Sequence, residues 1–233
     1  MAHLLPTVRC IIITVRSKYM RKIIASLLML AVSAPIFSQL DTKSKEILSA
    51  AANKTKSYTS MKATFTITMQ NTQDNTSESH EGSIAVSGEK YHLVLLNNES
   101  FFDGKTVSTY MKDANEVNIS EPDPSDENVL NPAKIFDIYD KGFKAQFVSE
   151  KKEGTKTISE IHLFPQSLNK PYSRIKLFIE SESYRISQIE QIGKDGNNVQ
   201  IKIKTFTTNQ PIADTEFIFD TKKHPLVDVI DLR

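Results

Sequence analysis

The segment Met61–Met69 constrains this chain more than any other. Its odd positions, Met61, Ala63, Phe65, Ile67 and Met69, are apolar, and its even positions, Lys62, Thr64, Thr66 and Thr68, are polar. A period of two with β-branched residues on the polar side is a half-buried strand. Its apolar side must meet other apolar material or a ligand. The same signal returns along the chain, punctuated by turn residues. Gly82–Val86 leads through Ser87-Gly88-Glu89 to Lys90–Leu96, and Asn97–Phe102 turns at Asp103-Gly104 into Lys105–Met111. Asp113–Asn115 leads to Glu116–Ser120, and Phe143–Lys151 turns at Glu153-Gly154 into Thr155–Phe164. Tyr172–Glu180, Tyr184–Ile192 and Val199–Phe206 follow, with Phe217–Phe219 as a short last strand. Nearly every connection is a hairpin, so the expected fold is mainly β: one strongly curved antiparallel sheet. A sheet of that extent must close, split or be covered.

Two helices are available as cover. Asp41–Lys56 carries Ile47, Leu48, Ala51 and Ala52 at helical spacing, with Asp41 as its N-cap. After the polar, proline-broken loop Glu121–Asn131, Pro132 opens a short helix to about Asp140, with Ile135, Phe136 and Tyr139 on one side. A loop of that length in a compact domain reads as a lid or binding loop.

The N-terminus reads as a targeting segment. Met20-Arg21-Lys22 is basic, Ile23–Val32 is an apolar run, and Ser33 and Ala34 are small. This is the pattern of a secretory signal, with cleavage after Ala34 or near Ser38–Gln39; the other reading of the run is a membrane anchor. Residues 1–38 are assigned to the signal, with 1–19 an extension upstream of a start at Met20, and 39–233 to a single domain. The single cysteine, Cys10, lies in the removed part. The mature chain is then without thiol chemistry or thiolate metal sites.

The chemistry expected of an enzyme does not emerge. His80, His92, His162 and His224 are scattered, read as surface or turn residues, and sit in no zinc motif. No nucleophile elbow, phosphate loop or dinucleotide fingerprint occurs. Asp123, Asp126 and Glu127 read as a solvated loop, not a calcium site. The net charge of +1 gives no electrostatic case for nucleic acid. No cofactor or metal is expected. What remains is apolar surface: Phe65, Ile67, Met69, Ile84, Val86, Tyr91, Leu93, Leu95, Ile175, Leu177 and Ile179, together with Ile135 and Phe136 of the short helix. Each reads alone as core. Together they exceed what two slender helices can cover, and an unfilled concave face is a site for an apolar ligand.

The order of motifs resembles a family. Tyr58-Thr59-Ser60-Met61-Lys62-Ala63-Thr64-Phe65 follows the helix. His80-Glu81-Gly82-Ser83-Ile84-Ala85-Val86 comes next, and then Phe102-Asp103-Gly104-Lys105 running on to Tyr110. Further on stand Asn131-Pro132, Ile161-His162-Leu163-Phe164-Pro165 and Phe217-Ile218-Phe219. Over Asp41–Phe219 this is similar to LolA-type outer-membrane lipoprotein carriers. The resemblance implies an incomplete antiparallel β-barrel, with helices forming a lid over an apolar cavity. It implies a monomeric periplasmic carrier that takes acylated lipoproteins from an inner-membrane lipoprotein-releasing transporter to the outer membrane, with or without an acceptor there. No chemical step is involved. Two positions depart from the family: its arginine is replaced in Ser87-Gly88-Glu89-Lys90, and Val107-Ser108 stand where a tryptophan is usual. A lipid- or lipoprotein-sensing module of an envelope stress pathway is the alternative on the same scaffold. A secreted hydrolase is the weakest reading, for want of a nucleophile–base pair.

Overall fold

A computed structural model describes residues 36–122 and 142–233. Residues 1–35, within the expected signal segment, and residues 123–141, with most of the expected lid loop and the expected short helix including Ile135 and Phe136, lie outside the described residues. The chain divides into two units, Met1–Thr42 and Lys43–Arg233. The account below concerns the second, apart from the bounds of the one long helix.

Helix α1 spans Ile36–Lys56. It begins upstream of Asp41, which is therefore an interior helical residue and not the N-cap. Ser44, Ile47, Leu48 and Ala51 form its buried stripe. The following strands are β1 (Ser60–Asn71), β2 (Thr76–Ser87), β3 (Lys90–Leu95), β4 (Asn98–Phe102), β5 (Val107–Met111) and β6 (Glu116–Ser120). Then come β7 (Phe143–Glu153), β8 (Lys156–Pro165), β9 (Tyr172–Glu180), β10 (Ile186–Gly193) and β11 (Asn197–Thr208). The chain ends with two 3-10 turns, Asp214–Phe217 and Thr221–Lys223, and β12 (Asp228–Asp231).

All the strands join one sheet in the order β12-β6-β5-β4-β3-β2-β1-β11-β10-β9-β8-β7. Each half is a meander of hairpins. The halves meet where β1 pairs with β11 over a long antiparallel ladder, Met61↔Thr208 to Asn71↔Asn197. The ladder carries a bulge at Thr64/Phe65, which sharpens the local twist. The sheet is curled and open: β12 and β7 are its edges. This is the mainly β, incomplete-barrel class read from the sequence.

Three local expectations need correction. The short last strand at Phe217–Phe219 is not formed. Phe217 closes a 3-10 turn and is buried, because the segment packs across a sheet face instead of joining its edge. The actual last strand, β12, runs parallel to β6 from Asp228↔Glu116 to Asp231↔Ile119, so the sheet is not purely antiparallel. Asp103-Gly104 is not a two-residue hairpin turn. The Asp103 carboxylate accepts the backbone N–H groups of Lys105 and Thr106, at 2.8 Å each, and builds a wider turn.

The two faces of the sheet are covered differently. On the outer face the C-terminal segment crosses β3–β5. Lys90 binds Asp214 at 2.7 Å, and His92 lies between Glu99 (3.0 Å) and Glu216 (3.5 Å) while stacking on Phe101. Phe219 packs on Phe101, Tyr110 and His224. His92 is therefore no surface histidine, and neither is His162, which is paired with Glu160 at 2.8 Å. On the inner face, α1 reaches β7: Lys43 Nζ lies 4.1 Å from the centre of the Phe147 ring and 3.1 Å from Glu150 Oε2. Ser159 and Ser181 also donate to Glu150. The bonds from Ser181 and Lys43 first, and that from Ser159 last, hold its carboxyl below the usual range against its small burial.

Candidate functional site

The inner face is read from the ladder. Ile67 of β1 faces Ile201 of β11, Ile201 faces Ile189 of β10, and Ile189 faces Leu177 of β9. Leu177 faces Ile161, and Ile161 faces Phe147 of β7. One apolar rung thus crosses six strands whose other side is mostly polar. Its far half is solid: Ile161, Leu163, Leu177 and Ile179 have 0% exposure. Its near half is not.

There β1, β2, β3, β10 and β11 surround a cavity of about 240 Å³. Its floor is Met61, Ala63, Phe65 and Ile67 of β1. One wall is Ile84, Val86, Leu93 and Leu95, the other Ile186, Ile189, Ile201, Ile203 and Phe206. Thr55 and Tyr58 at the end of α1, with Tyr184 and Arg185 from the β9–β10 turn, form the mouth. The floor is flat beside Phe65 for a specific reason. Phe65 pairs with Gly82, and a Cβ there would lie 2.5 Å from the Phe65 ring. The ring lies over the glycine as it does in cross-strand aromatic–glycine pairs.

Six of the residues expected at an acyl-chain site line this cavity: Phe65, Ile67, Ile84, Val86, Leu93 and Leu95. Tyr91 does not; it packs with Met61, Val86 and Phe102 in a closed cluster beside it. Met69 follows Ile67 further along β1, beyond the cavity lining. Leu177 and Ile179 belong to the sealed half of the face, and Ile175 pairs with Leu163 there. The β10–β11 wall is absent from the sequence expectation. Ile201 and Ile203 do alternate with Lys202 and Lys204, so the strand signal is present. The pairing of β1 with β11 that brings them over Phe65 is not.

The mouth carries the polar chemistry. Glu180 is buried, and its carboxylate accepts from Arg185 Nη2 at 2.8 Å, Lys156 Nζ at 2.6 Å and Ser183 Oγ at 2.7 Å. Burial pushes this carboxyl up; the bonds from Arg185, Lys156 and Ser183 outweigh it together and hold it at about 2. The turn is tied by Glu180 N–H to Arg185 O (2.9 Å) and Tyr184 N–H to Glu180 O (2.8 Å). Tyr184 sits there at φ 56°, a left-handed conformation uncommon for a bulky residue. The tied turn delivers Arg185 to the mouth, with its guanidinium 5.6 Å from the Phe206 ring centre. Burial raises the Tyr58 phenol and the nearby Arg185 charge opposes it. Lys90, in the segment where the resemblance leads one to expect an arginine, is engaged by Asp214 on the other face. Among the described residues no cluster of His, Cys, Asp and Glu is arranged to hold a metal, and no helix is long and apolar enough to cross a membrane.

A family model and one solved structure agree with this architecture, and two further structures align with it more loosely. The family model described as outer membrane lipoprotein carrier protein LolA matches residues 35–196. An uncharacterized conserved protein from Thermus thermophilus shares the fold with a TM-score of 0.54 at 12% identity, over 81% of this chain and 99% of its own. A putative outer membrane lipoprotein-sorting protein domain from Vibrio parahaemolyticus aligns with a TM-score of 0.43 at 10% identity, over 76% of this chain and 97% of its own. A LolA superfamily protein from Nitrosomonas europaea aligns with a TM-score of 0.41 at 10% identity, over 76% and 97% respectively. No curated protein matches the sequence.

Proposed function

The chain belongs to the LolA family of outer membrane lipoprotein carrier proteins, and from that premise we propose that it carries the acyl chains of lipoproteins across the periplasm in the cavity over β1. The observation that carries this reading is the inner-face cavity of about 240 Å³, walled by isoleucine, leucine and phenylalanine and polar only at its mouth. An apolar wall of that kind rejects water and charged ligands and accepts hydrocarbon. Each CH₂ moved from water into it contributes about 0.8 kcal/mol, so a chain of about 16 carbons represents roughly 12 kcal/mol. That is enough to keep free acyl chains out of water and too much to release without opening. The site is below the ~300–1,000 Å³ of ordinary ligand pockets. A complete set of acyl chains therefore requires its walls to spread, and the same motion releases cargo. The carrier needs no chemical step. Its partners in this reading are an inner-membrane transporter that loads it and the outer membrane or an acceptor there that unloads it, with the protein working as a monomer.

The test is solubilisation of an acylated lipoprotein by the purified protein, beside the same lipoprotein stripped of its acyl chains. Wild type holds only the acylated form in solution. Ala63→Phe, which fills the cavity floor, should cut that capacity about tenfold or more while the protein stays folded. Equal binding of both forms, or an unaffected Ala63→Phe variant, would remove the cavity from the function.

A further inference from the structure

The β10–β11 ladder stops early. Its last pair is Gln188↔Lys202, yet β10 begins at Ile186 alongside β9 and β11 continues to Thr208 along β1. Ile186 and Ser187 therefore face Ile203–Phe206 without joining them in a ladder. At this gap the sheet has cavities on both sides. Arg185, Ile186, Ile203 and Phe206 line the apolar cavity, and the same four line a second cavity of about 250 Å³. The second is polar: Lys156, Glu180, Lys202 and Lys204 are on its wall.

We propose that this gap is a lateral portal. An acyl chain in the inner cavity continues through it to an anionic head group, phosphate or carboxylate, held outside by Arg185 and Lys156. The proposal rests on the acyl-chain reading of the cavity and adds a second cargo class beside lipoproteins, whose acyl chains are joined as neutral esters and amides: free fatty acids and lipids with a phosphate head. Three observations carry it. The two cavities share a border made of the residues where strand pairing is missing, so no ladder hydrogen bonds have to break. The outer one holds Lys156, Arg185, Lys202 and Lys204 against Glu153 and Glu180, and Lys204 is also taken by Glu81 at 2.7 Å, so cations remain in excess. Arg185 gives Nη2 to Glu180, and its remaining guanidinium N–H groups make no hydrogen bond to described residues. A planar fork fixed at one corner by a buried carboxylate is arranged to present its other donors to a carboxylate or phosphate. A neutral acyl ester would leave that charge unused.

Binding of palmitate and of methyl palmitate at pH 8 separates chain from head. Wild type should prefer palmitate by about tenfold. Arg185→Gln, at the cavity mouth, should lose that preference because its loss falls on palmitate far more than on the methyl ester. Lys156→Gln, which leaves the Arg185–Glu180 bond in place, should lower the preference a few-fold. Wild type that binds both probes equally, or variants that keep the preference or weaken both probes alike, would overturn the portal while the acyl cavity stands. Wild type that binds neither probe would overturn the portal, and solubilisation of the acylated lipoprotein would then decide the carrier reading by itself. Inorganic phosphate bound as tightly as palmitate would make the outer site a free-anion site and overturn the acyl-head assignment.

Discussion

The inner face of this sheet exists in two conditions. Over β8 and β9 the side chains Ile161, Leu163, Leu177 and Ile179 are sealed at 0% exposure. Over β1–β3 and β10–β11, side chains of the same types line a void, and Ile84, Leu93, Leu95, Ile189, Ile201 and Ile203 are only half-buried. Composition does not distinguish the halves, and neither does strand periodicity. The cover does. The stripe Ser44–Ile47–Leu48–Ala51 of α1 is buried, and Lys43, at the start of that stretch, is fixed to Glu150 and Phe147 on β7. At the other end of the helix only Thr55 and Tyr58 reach the cavity. An alternating strand therefore specifies that one face leaves water; whether protein or ligand takes water's place is decided by an element far away in sequence.

Truncating each half tests this contrast most severely. Leu177→Ala opens a new hole in a filled region and should cost about 2–5 kcal/mol. Leu93→Ala enlarges a void that already exists and should cost about 1 kcal/mol, since Leu93 is half-buried and has only its packing on the Met61, Val86, Tyr91 and Phe102 cluster to lose. Urea unfolding of the two variants beside wild type gives both numbers. Equal losses would mean that the open half is as well packed as the closed one.

Legibility in the sequence follows the same division. Strand identities are legible because the inner face keeps strict alternation from Met61 to Met69 and because Gly88, Gly104, Gly154 and Gly196 mark turns at positive φ. One cavity wall is legible as well, since Ile84, Val86, Leu93 and Leu95 sit on strands joined by a local hairpin to each other and to β1. The opposite wall is not. It depends on Phe65 facing Ile203 and Ala63 facing Phe206, contacts between remote parts of the chain that no turn signal announces. For the same reason Leu177 and Ile179 read as cavity residues in the sequence: their pattern matches that of Leu93, and only their burial in the fold differs. The histidine on the outer face, His92, reads wrongly as exposed because Glu216, which meets it, lies in a segment whose 3-10 turns have too short a period to leave a pattern.

Gly82→Ala probes the floor of the open half alone. Its new methyl group would lie 2.5 Å from Cε2 and Cζ of Phe65, so the ring must leave its place over the strand. In a filled core such a displacement costs roughly 1–3 kcal/mol. Here the ring has the cavity to turn into, so the loss should lie near 1 kcal/mol, at the low end of that rough range, and acyl-chain binding should fall with it. A loss of stability with full binding would place the displaced ring somewhere other than the cavity.

The smallest effect lies on the boundary between the halves, where Glu180 ends the packed strand β9 and holds Arg185 at the cavity mouth. Its carboxyl, at about 2 in the folded protein, is well below its ordinary 4.5. The proton is therefore bound more readily when the chain is unfolded. The stabilisation from the bonds to Arg185, Lys156 and Ser183 is complete above about pH 4.5 and drains away as the pH falls toward 2. Solvent reaches the two cations, whose side chains are 31% and 51% exposed, and screens the pair, so the contribution at neutral pH should be about 1 kcal/mol or less. Glu180→Gln removes the titrating group. The stability gap between variant and wild type should therefore close progressively on acidification from about pH 5 to about pH 2, as read from urea midpoints at each pH. A gap that keeps its size through that window would mean that Glu180 acts through packing and hydrogen-bond geometry, and that its charge does not hold Arg185 at the mouth.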